Sequence, residues 1–128
     1  MRLLLDTVAL YRAATLPASL SPAVRALLAD KAHQVFVSVA SAWELAIKSS
    51  LGKLALPCRI DVFFAQTARD LLAESLSLEL RFVAKVTELP SHHRDPFDRL
   101  IVAQALVEDC AVLTSDARFA AYGVRVLW

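Results

Sequence analysis

The sequence predicts an α/β fold built on a parallel sheet, and three observations carry that expectation. Leu3-Leu4-Leu5 and Ala111-Val112-Leu113 are short, continuous apolar runs, the pattern of strands covered on both faces. The strand-like runs are separated by segments of helical apolar spacing, with none of the turn signals that would mark hairpins. Two glycines and five prolines in 128 residues are too few for a loop-rich β-barrel. Right-handed crossovers put the carboxyl ends of all parallel strands on one edge. In open parallel sheets that edge gathers ligands and catalytic groups.

The elements follow in order. The leucine run after Arg2 reads as a strand ending at Asp6, although periodicity alone leaves a helix open. Val8 to Ala14 reads as a short helix. Ser21-Pro22 is a helix start, serine as N-cap and proline in the first turn, with Val24, Leu27 and Leu28 at helical spacing. Val35 to Ser38 is β-branched and aromatic, a second strand. Ala40 to Leu51 carries Ala40, Trp43, Ile47 and Leu51 on a helical pattern, and Gly52 ends it. Pro57 and Asp61 introduce a helix from Ile60 to Leu72, Ser75 to Leu78 alternates like a strand, and Leu80 to Leu89 returns to helical spacing. The polar loop Pro90-Ser91-His92-His93-Arg94 leads to Asp95-Pro96, a second cap-plus-proline start, and Phe97 to Val107 is the most strongly marked helix. Ala111 to Thr114 reads as a strand, Asp116 to Ala121 as a short helix and Val124 to Leu127 as a closing strand. With no repeat, low-complexity tract or linker, residues 1–128 are expected to form one domain.

A hydrophobic fraction of 57% calls for a folded globular chain and excludes long-range disorder. Fourteen Lys and Arg against 13 Asp and Glu leave no whole-protein field for nucleic acid, so any such binding needs a local basic patch. Cys58 and Cys110 lack metal-ligand and redox spacing and are expected as two small buried thiols in a reducing compartment. Asp6 and Arg12 interrupt the leader-like start, and no stretch reaches the ~20 apolar residues of a membrane helix. The expectation is a cytoplasmic protein with no membrane contact.

The chemistry has to come from carboxylates. Asp6 alone reads first as an N-cap for the following helix, and Asp116 has the same reading after its strand. Asp95 caps the helix that Pro96 begins. Asp98 lies in that helix's first turn, where the dipole favours it by about 0.3–1 kcal/mol. Its i+3 and i+4 neighbours, however, are Ile101 and Val102, so it points inward. Glu44 sits between Trp43 and Leu45, and Lys48 at i+4 offers an exposed ion pair as the plain alternative. Four acids from four segments meeting at one sheet edge would raise one another's pKa unless cations neutralised them, and hard oxygen donors suit Mg2+ or Mn2+. His92 and His93, adjacent in a polar loop, read as solvated, and no Cys/His spacing supports zinc.

Four motifs in this order resemble the PIN-domain ribonucleases, and most closely the VapC-type toxins of bacterial toxin–antitoxin pairs. They are Leu3-Leu4-Leu5-Asp6-Thr7, Ser38 to Lys48 with Trp43-Glu44-Leu45 at its centre, His92-His93-Arg94-Asp95-Pro96-Phe97-Asp98-Arg99, and Leu113-Thr114-Ser115-Asp116. The resemblance spans the chain and implies a three-layer α/β/α domain with a central parallel sheet. It implies an acidic quartet of Asp6, Glu44, Asp98 and Asp116 that binds Mg2+ or Mn2+ and hydrolyses phosphodiester bonds in RNA, leaving 5′-phosphate and 3′-hydroxyl ends. It also implies a cognate VapB-like antitoxin covering this edge, and a homodimer. Asp95 is an accessory residue, capping the helix or holding a metal-bound water. Thr7 and Ser115 are either hydrogen-bond donors to ligand carboxylates or local turn residues. Arg12, Lys48, Lys53, Arg94 and Arg99 are the substrate-binding candidates, each near a motif acid in sequence. Relatives often carry His after Asp-Thr and Trp four positions on, where this chain has Val8 and Arg12. The competing readings are an inactive PIN-like RNA-binding or scaffold module and a phosphatase or receiver-like domain. The phosphatase reading lacks the second aspartate it needs at Val8, and the receiver reading lacks a lysine after a final strand.

Overall fold

A run of three leucines has no polar side chain to keep wet, so it can lie at the centre of a sheet covered on both faces. That is where β1 (Arg2–Leu5) lies, pairing in parallel with β2 (Gln34–Ser38) on one side and β4 (Ala111–Leu113) on the other. β3 (Glu74–Leu76) and β5 (Val126–Leu127) form the outer strands. The order is β3-β2-β1-β4-β5, all parallel, in a computed structural model that describes residues 1–128.

The pleat divides the leucines between two cores. Leu3 and Leu5 join Val35, Val37, Ala111 and Leu113 on one face. This face is covered by α1 (Thr7–Thr15), α2 (Pro22–Ala29), α3 (Val39–Ser50) and α4 (Ile60–Asp70), through Leu10, Val24, Leu45 and Phe63. Leu4 joins Phe36 and Val112 on the other face, under Ile101, Val102 and Ala105 of α6 (Pro96–Glu108). Phe119 and Tyr122, from a 3₁₀ run at Ala117–Tyr122, complete that core, and α5 (Leu80–Val86) packs on α6. Two helical layers sandwich the sheet, the three-layer arrangement expected.

Several boundaries differ from the sequence reading. The short helix after Asp116 is a 3₁₀ run, closed by Gly123 at φ +86, and the closing strand narrows to Val126–Leu127. The strand expected at Ser75 to Leu78 is Glu74–Leu76, and α5 stops at Val86. A 3₁₀ turn at Pro17–Ser19 was not foreseen. Cys110 is buried, but Cys58 is exposed, because it falls in the irregular connection before α4, outside both cores. No helix is long and apolar enough to cross a membrane.

The topology locates the site. From β1 the chain winds outward through β2 and β3, then returns to place β4 on the opposite side of β1. The reversal opens a crevice outside the carboxyl ends of β1 and β4, the usual ligand position in a doubly wound sheet.

Candidate functional site

Asp6 leaves β1 and Asp116 follows β4, so both stand at that crevice. Asp6 caps α1, its Oδ1 accepting from the Ala9 amide at 2.7 Å. Its Oδ2 accepts from the Thr114 hydroxyl at 2.5 Å, across the β1/β4 boundary. The capping reading of Asp6 holds, and one oxygen serves each neighbouring element. Asp116 caps the 3₁₀ run through the Arg118 amide, 3.0 Å from Oδ1.

α6 and α3 bring the remaining acids. Asp95 caps α6 through the Phe97 amide at 2.8 Å, with Pro96 in the first turn, and this start aims Asp98 toward the crevice. Trp43 and Phe97 meet edge to face with ring centroids 5.0 Å apart. Glu44 follows one ring in sequence and Asp98 the other, so this contact joins α3 to α6 beside the two acids. Ligand atoms of Glu44, Asp95 and Asp98 lie within 4.8 Å of one another, and so do those of His93, Asp98 and Asp116. Asp98 belongs to both groups. Asp6 lies outside both; its two oxygens are held by Ala9 and Thr114.

The electrostatics follow from burial and crowding. Asp98 is pushed up to about 6, first by burial and then by Asp95 and Glu44. Asp6 is raised mainly by burial, against the hydrogen bonds from Thr114 and Ala9, with Glu44 and Asp116 adding repulsion. Asp116 goes the other way, held well below the usual carboxylate range chiefly by its ion pair with Arg118 and also by His93. Glu44 is 5% exposed; Lys48 donates to its Oε2 at 2.6 Å, while Oε1 has no donor. The i,i+4 pair anticipated for Glu44 thus exists, but its acid is buried.

A buried carboxylate oxygen without a partner is costly. A cation held by Glu44, Asp95 and Asp98 would offset that cost, and a donor set dominated by carboxylates fits Mg2+ or Mn2+. The residues present therefore fit the metal that the sequence motifs imply.

The other candidates divide. Lys48, Lys53 and Arg94 line one groove with Glu44, Asp95 and Phe97. Arg12 stands over the Trp128 ring at 5.8 Å beside a second groove along α1. The Arg99 guanidinium faces the other way, donating to the carbonyls of Pro90 at 2.9 Å and Val86 at 3.2 Å and closing the α5–α6 connection. Thr7 donates to Ser41 at 3.0 Å and not to a site carboxylate, and Ser115 is exposed. Thr114 holds the position anticipated for those two.

His93 was expected to be solvated but is 5% exposed, with Nδ1 2.9 Å from the Tyr122 hydroxyl and Nε2 3.0 Å from Asp116 Oδ2. His92 remains exposed, edge-on to the same tyrosine. Neither the Thr114 contact nor the His93 contact has a local sequence signal, since each joins segments far apart in the chain. Arg118, whose side chain grips Asp116, was also not anticipated.

The PIN domain family model matches residues 3–124. Among curated proteins none matches the chain. Solved structures share its fold at low sequence identity. A chain of VapBC2 from Rickettsia felis, bound to a DNA fragment from their promoter, is 14% identical with a TM-score of 0.72, covering 99% of this chain and 98% of that one. A chain of FitAcB from Neisseria gonorrhoeae is 22% identical at 0.62, covering 98% and 96%. A chain of VapBC-5 from Mycobacterium tuberculosis, a member of the VapBC family of toxin–antitoxin systems, is 20% identical at 0.61, covering 98% and 97%.

Proposed function

We propose, from the premise that this chain belongs to the PIN domain family, that it is a Mg2+- or Mn2+-dependent endoribonuclease acting as the toxin of a toxin–antitoxin pair. The observation that carries this reading is Glu44, a buried carboxylate with one oxygen lacking any donor, clustered with Asp95 and Asp98 so that ligand atoms of the three lie within 4.8 Å of one another. Asp6, Glu44, Asp98 and Asp116 would hold the cation, with Asp95 beside them. A divalent cation supplies an activated water and charge neutralisation at the phosphate. The protein's share of the work is orientation. Thr114 and the Ala9 amide fix Asp6, His93 fixes Asp116, and Lys48 balances one oxygen of Glu44.

RNA as substrate is supported by the shape and charge of the approach. Lys53 and Arg94 line the groove beside the acids and offer positive charge to backbone phosphates. The cleft is open, which suits an unpaired strand better than a rigid duplex. The toxin role is supported by the solved neighbours, one of which is described as belonging to a toxin–antitoxin family. A protein partner is supported by the exposed apolar side chains Val8 and Leu16 along α1, a surface suited to an antitoxin segment. Trp43, Ile47 and Leu51, exposed at i, i+4 and i+8 on α3, suit a second copy of the chain. Two cores sharing one sheet support a single domain, and the reading places the pair in the cytoplasm.

The direct test incubates purified protein, free of any antitoxin, with several structured RNAs, with and without Mg2+ or Mn2+. Cleavage that needs the cation and is absent in Asp98→Asn is expected. Cleavage no greater than that variant's across all the RNAs would sink the proposal.

A further inference from the structure

We infer that Arg118 is a two-position side chain: it closes on Asp116 while no cation is bound, and it moves to a phosphate of the RNA backbone once a cation takes that carboxylate. This rests on the nuclease reading and adds to it a substrate-gripping residue that the motifs do not contain.

Asp116 is held from two sides of different character. On the buried side, His93 Nε2 reaches Oδ2 at 3.0 Å, and the His93 side chain is only 1% exposed. The Tyr122 hydroxyl at 2.9 Å and the edge of Phe119 fix the imidazole in turn. The Arg118 backbone amide adds a third tether, 3.0 Å from Oδ1. These contacts keep the carboxylate in place whatever the arginine side chain does.

On the open side the hold is the guanidinium itself, Nη2 2.8 Å from Oδ2 and Nε 3.0 Å from Oδ1, on a side chain that is 65% exposed. Exposed ion pairs contribute little in water and are readily exchanged. Arg118 also lines a cleft with His93, Arg94, Asp95 and Asp98 that contains no apolar residue. The charge of Asp98 acts on the guanidinium together with that of Asp116. The guanidinium thus stands at the mouth of the acid cluster and offsets its repulsion when nothing else does.

A divalent cation and this guanidinium compete for the same Asp116 oxygens. Asp116 and Asp98 together would hold a cation of twice the guanidinium's charge, so the arginine would be displaced, while His93 keeps Asp116 aimed. The freed guanidinium, already on a side chain that is 65% exposed, has lost its carboxylate partner and is free to take another anion. Its planar fork of N–H donors matches a phosphate as well as it matches a carboxylate, and the backbone of a bound RNA is the anion left within reach. Lysine at this position would keep the charge and lose the fork.

The experiment compares wild type with Arg118→Gln and Arg118→Lys. Calorimetry titrates Mn2+ into cation-free protein, and steady-state cleavage is measured on a single-stranded RNA oligonucleotide. Arg118→Gln is expected to bind Mn2+ about 2- to 5-fold more tightly, as release of an exposed ion pair predicts. Its kcat/KM is expected to fall about 10- to 100-fold, mostly through KM, as loss of a charged phosphate contact predicts. Arg118→Lys should fall between on both measures. A merely structural residue would weaken both, and a bystander would change neither. Mn2+ affinity that is unchanged or weaker in Arg118→Gln, or cleavage that is unchanged, overturns the inference while leaving the nuclease reading intact. A wild-type chain that neither binds Mn2+ nor cuts RNA overturns both.

Discussion

At the amino edge of the sheet, Arg2 donates to the Glu108 carboxylate and to its carbonyl, each at 2.8 Å, and the same carboxylate takes Arg81 at 2.5 Å. Gln34 bridges the network, accepting from Arg2 at 2.9 Å and donating to Glu74 at 2.7 Å. At the carboxyl edge, Asp6, Glu44, Asp95, Asp98 and Asp116 share Lys48, His93 and Arg118, and one buried oxygen of Glu44 has no donor at all. The chemical types are the same, and the number of partners differs. One edge is complete as folded, so its charges hold strands and helices together. The other edge is complete only with something added, so its charges oppose the cation-free fold and favour a ligand.

The largest expected effect separates the edges outright. Asp98→Asn should lower RNA cleavage by about 10²–10³-fold, the scale of removing one pre-aimed electrostatic contact at a reacting centre. It should also weaken Mn2+ binding in calorimetry, and the thermal midpoint of the cation-free protein at neutral pH should hold or rise. A large loss of stability in this variant would break the comparison, because Asp98 would then be a structural acid like Glu108.

Thr114→Val comes next. Valine preserves the shape of threonine but leaves Asp6 Oδ2, the oxygen 2.5 Å from the hydroxyl, buried without a donor. A stability loss of about 1–3 kcal/mol is expected in denaturant unfolding. Mn2+ affinity should fall too, since the carboxylate loses its orientation. Retained stability would mean that the carboxyl edge needs no internal partners. Glu108→Gln probes the other edge: it should cost about 1 kcal/mol, because the amide keeps one acceptor for Arg2 or Arg81 and loses the other together with the charge. Metal-dependent cleavage by that variant should match wild type.

The two edges were unequally legible in the sequence. The leucine strand, the Asp95-Pro96 start and the inward pointing of Asp98 are local patterns, because the apolar neighbours that decide them lie within four residues. What decides His93 is Tyr122, 29 positions on, so a polar loop gave no sign that one of two adjacent histidines turns into the core. Thr114 was passed over for its neighbour Ser115 and for Thr7. Which hydroxyl faces Asp6 depends on β4 lying beside β1, a pairing between residues 108 apart. Arg99 was grouped with the substrate candidates by proximity to Asp98. One step along the helix, about 100° of rotation, separates a side chain over the crevice from one that closes the loop behind it, and proximity in sequence cannot tell them apart. Arg118 had no motif of its own, since its role depends on a 3₁₀ turn in place of the short helix expected there.

The smallest expected effect tests the burial and crowding of Asp98 together. Asp98 is raised from the ordinary 3.8 to about 6 in the folded, cation-free protein, first by burial and then by Asp95 and Glu44. A carboxyl whose folded pKa lies above its unfolded value binds its proton more tightly when folded. Its contribution to stability is therefore full below about 4, declines as pH rises, and is gone above about 6. Asp6 is raised as well and acts in the same direction. Asp116 is lowered, so its contribution is lost only at pH below the ordinary carboxylate range and does not interfere in this window. In EDTA, wild type should gain about 1 kcal/mol more than Asp98→Asn between pH 7.5 and pH 5, a figure discounted for the partial exposure of Asp98. Thermal melts of the two proteins at both pH values measure the difference. The same proton competes with the cation, so Mn2+ affinity should weaken as pH falls through 6 in wild type and change less in the variant. Equal pH dependence in the two proteins would mean that Asp98 is neither desolvated nor crowded by Asp95 and Glu44, and the contrast between the edges would lose its physical basis.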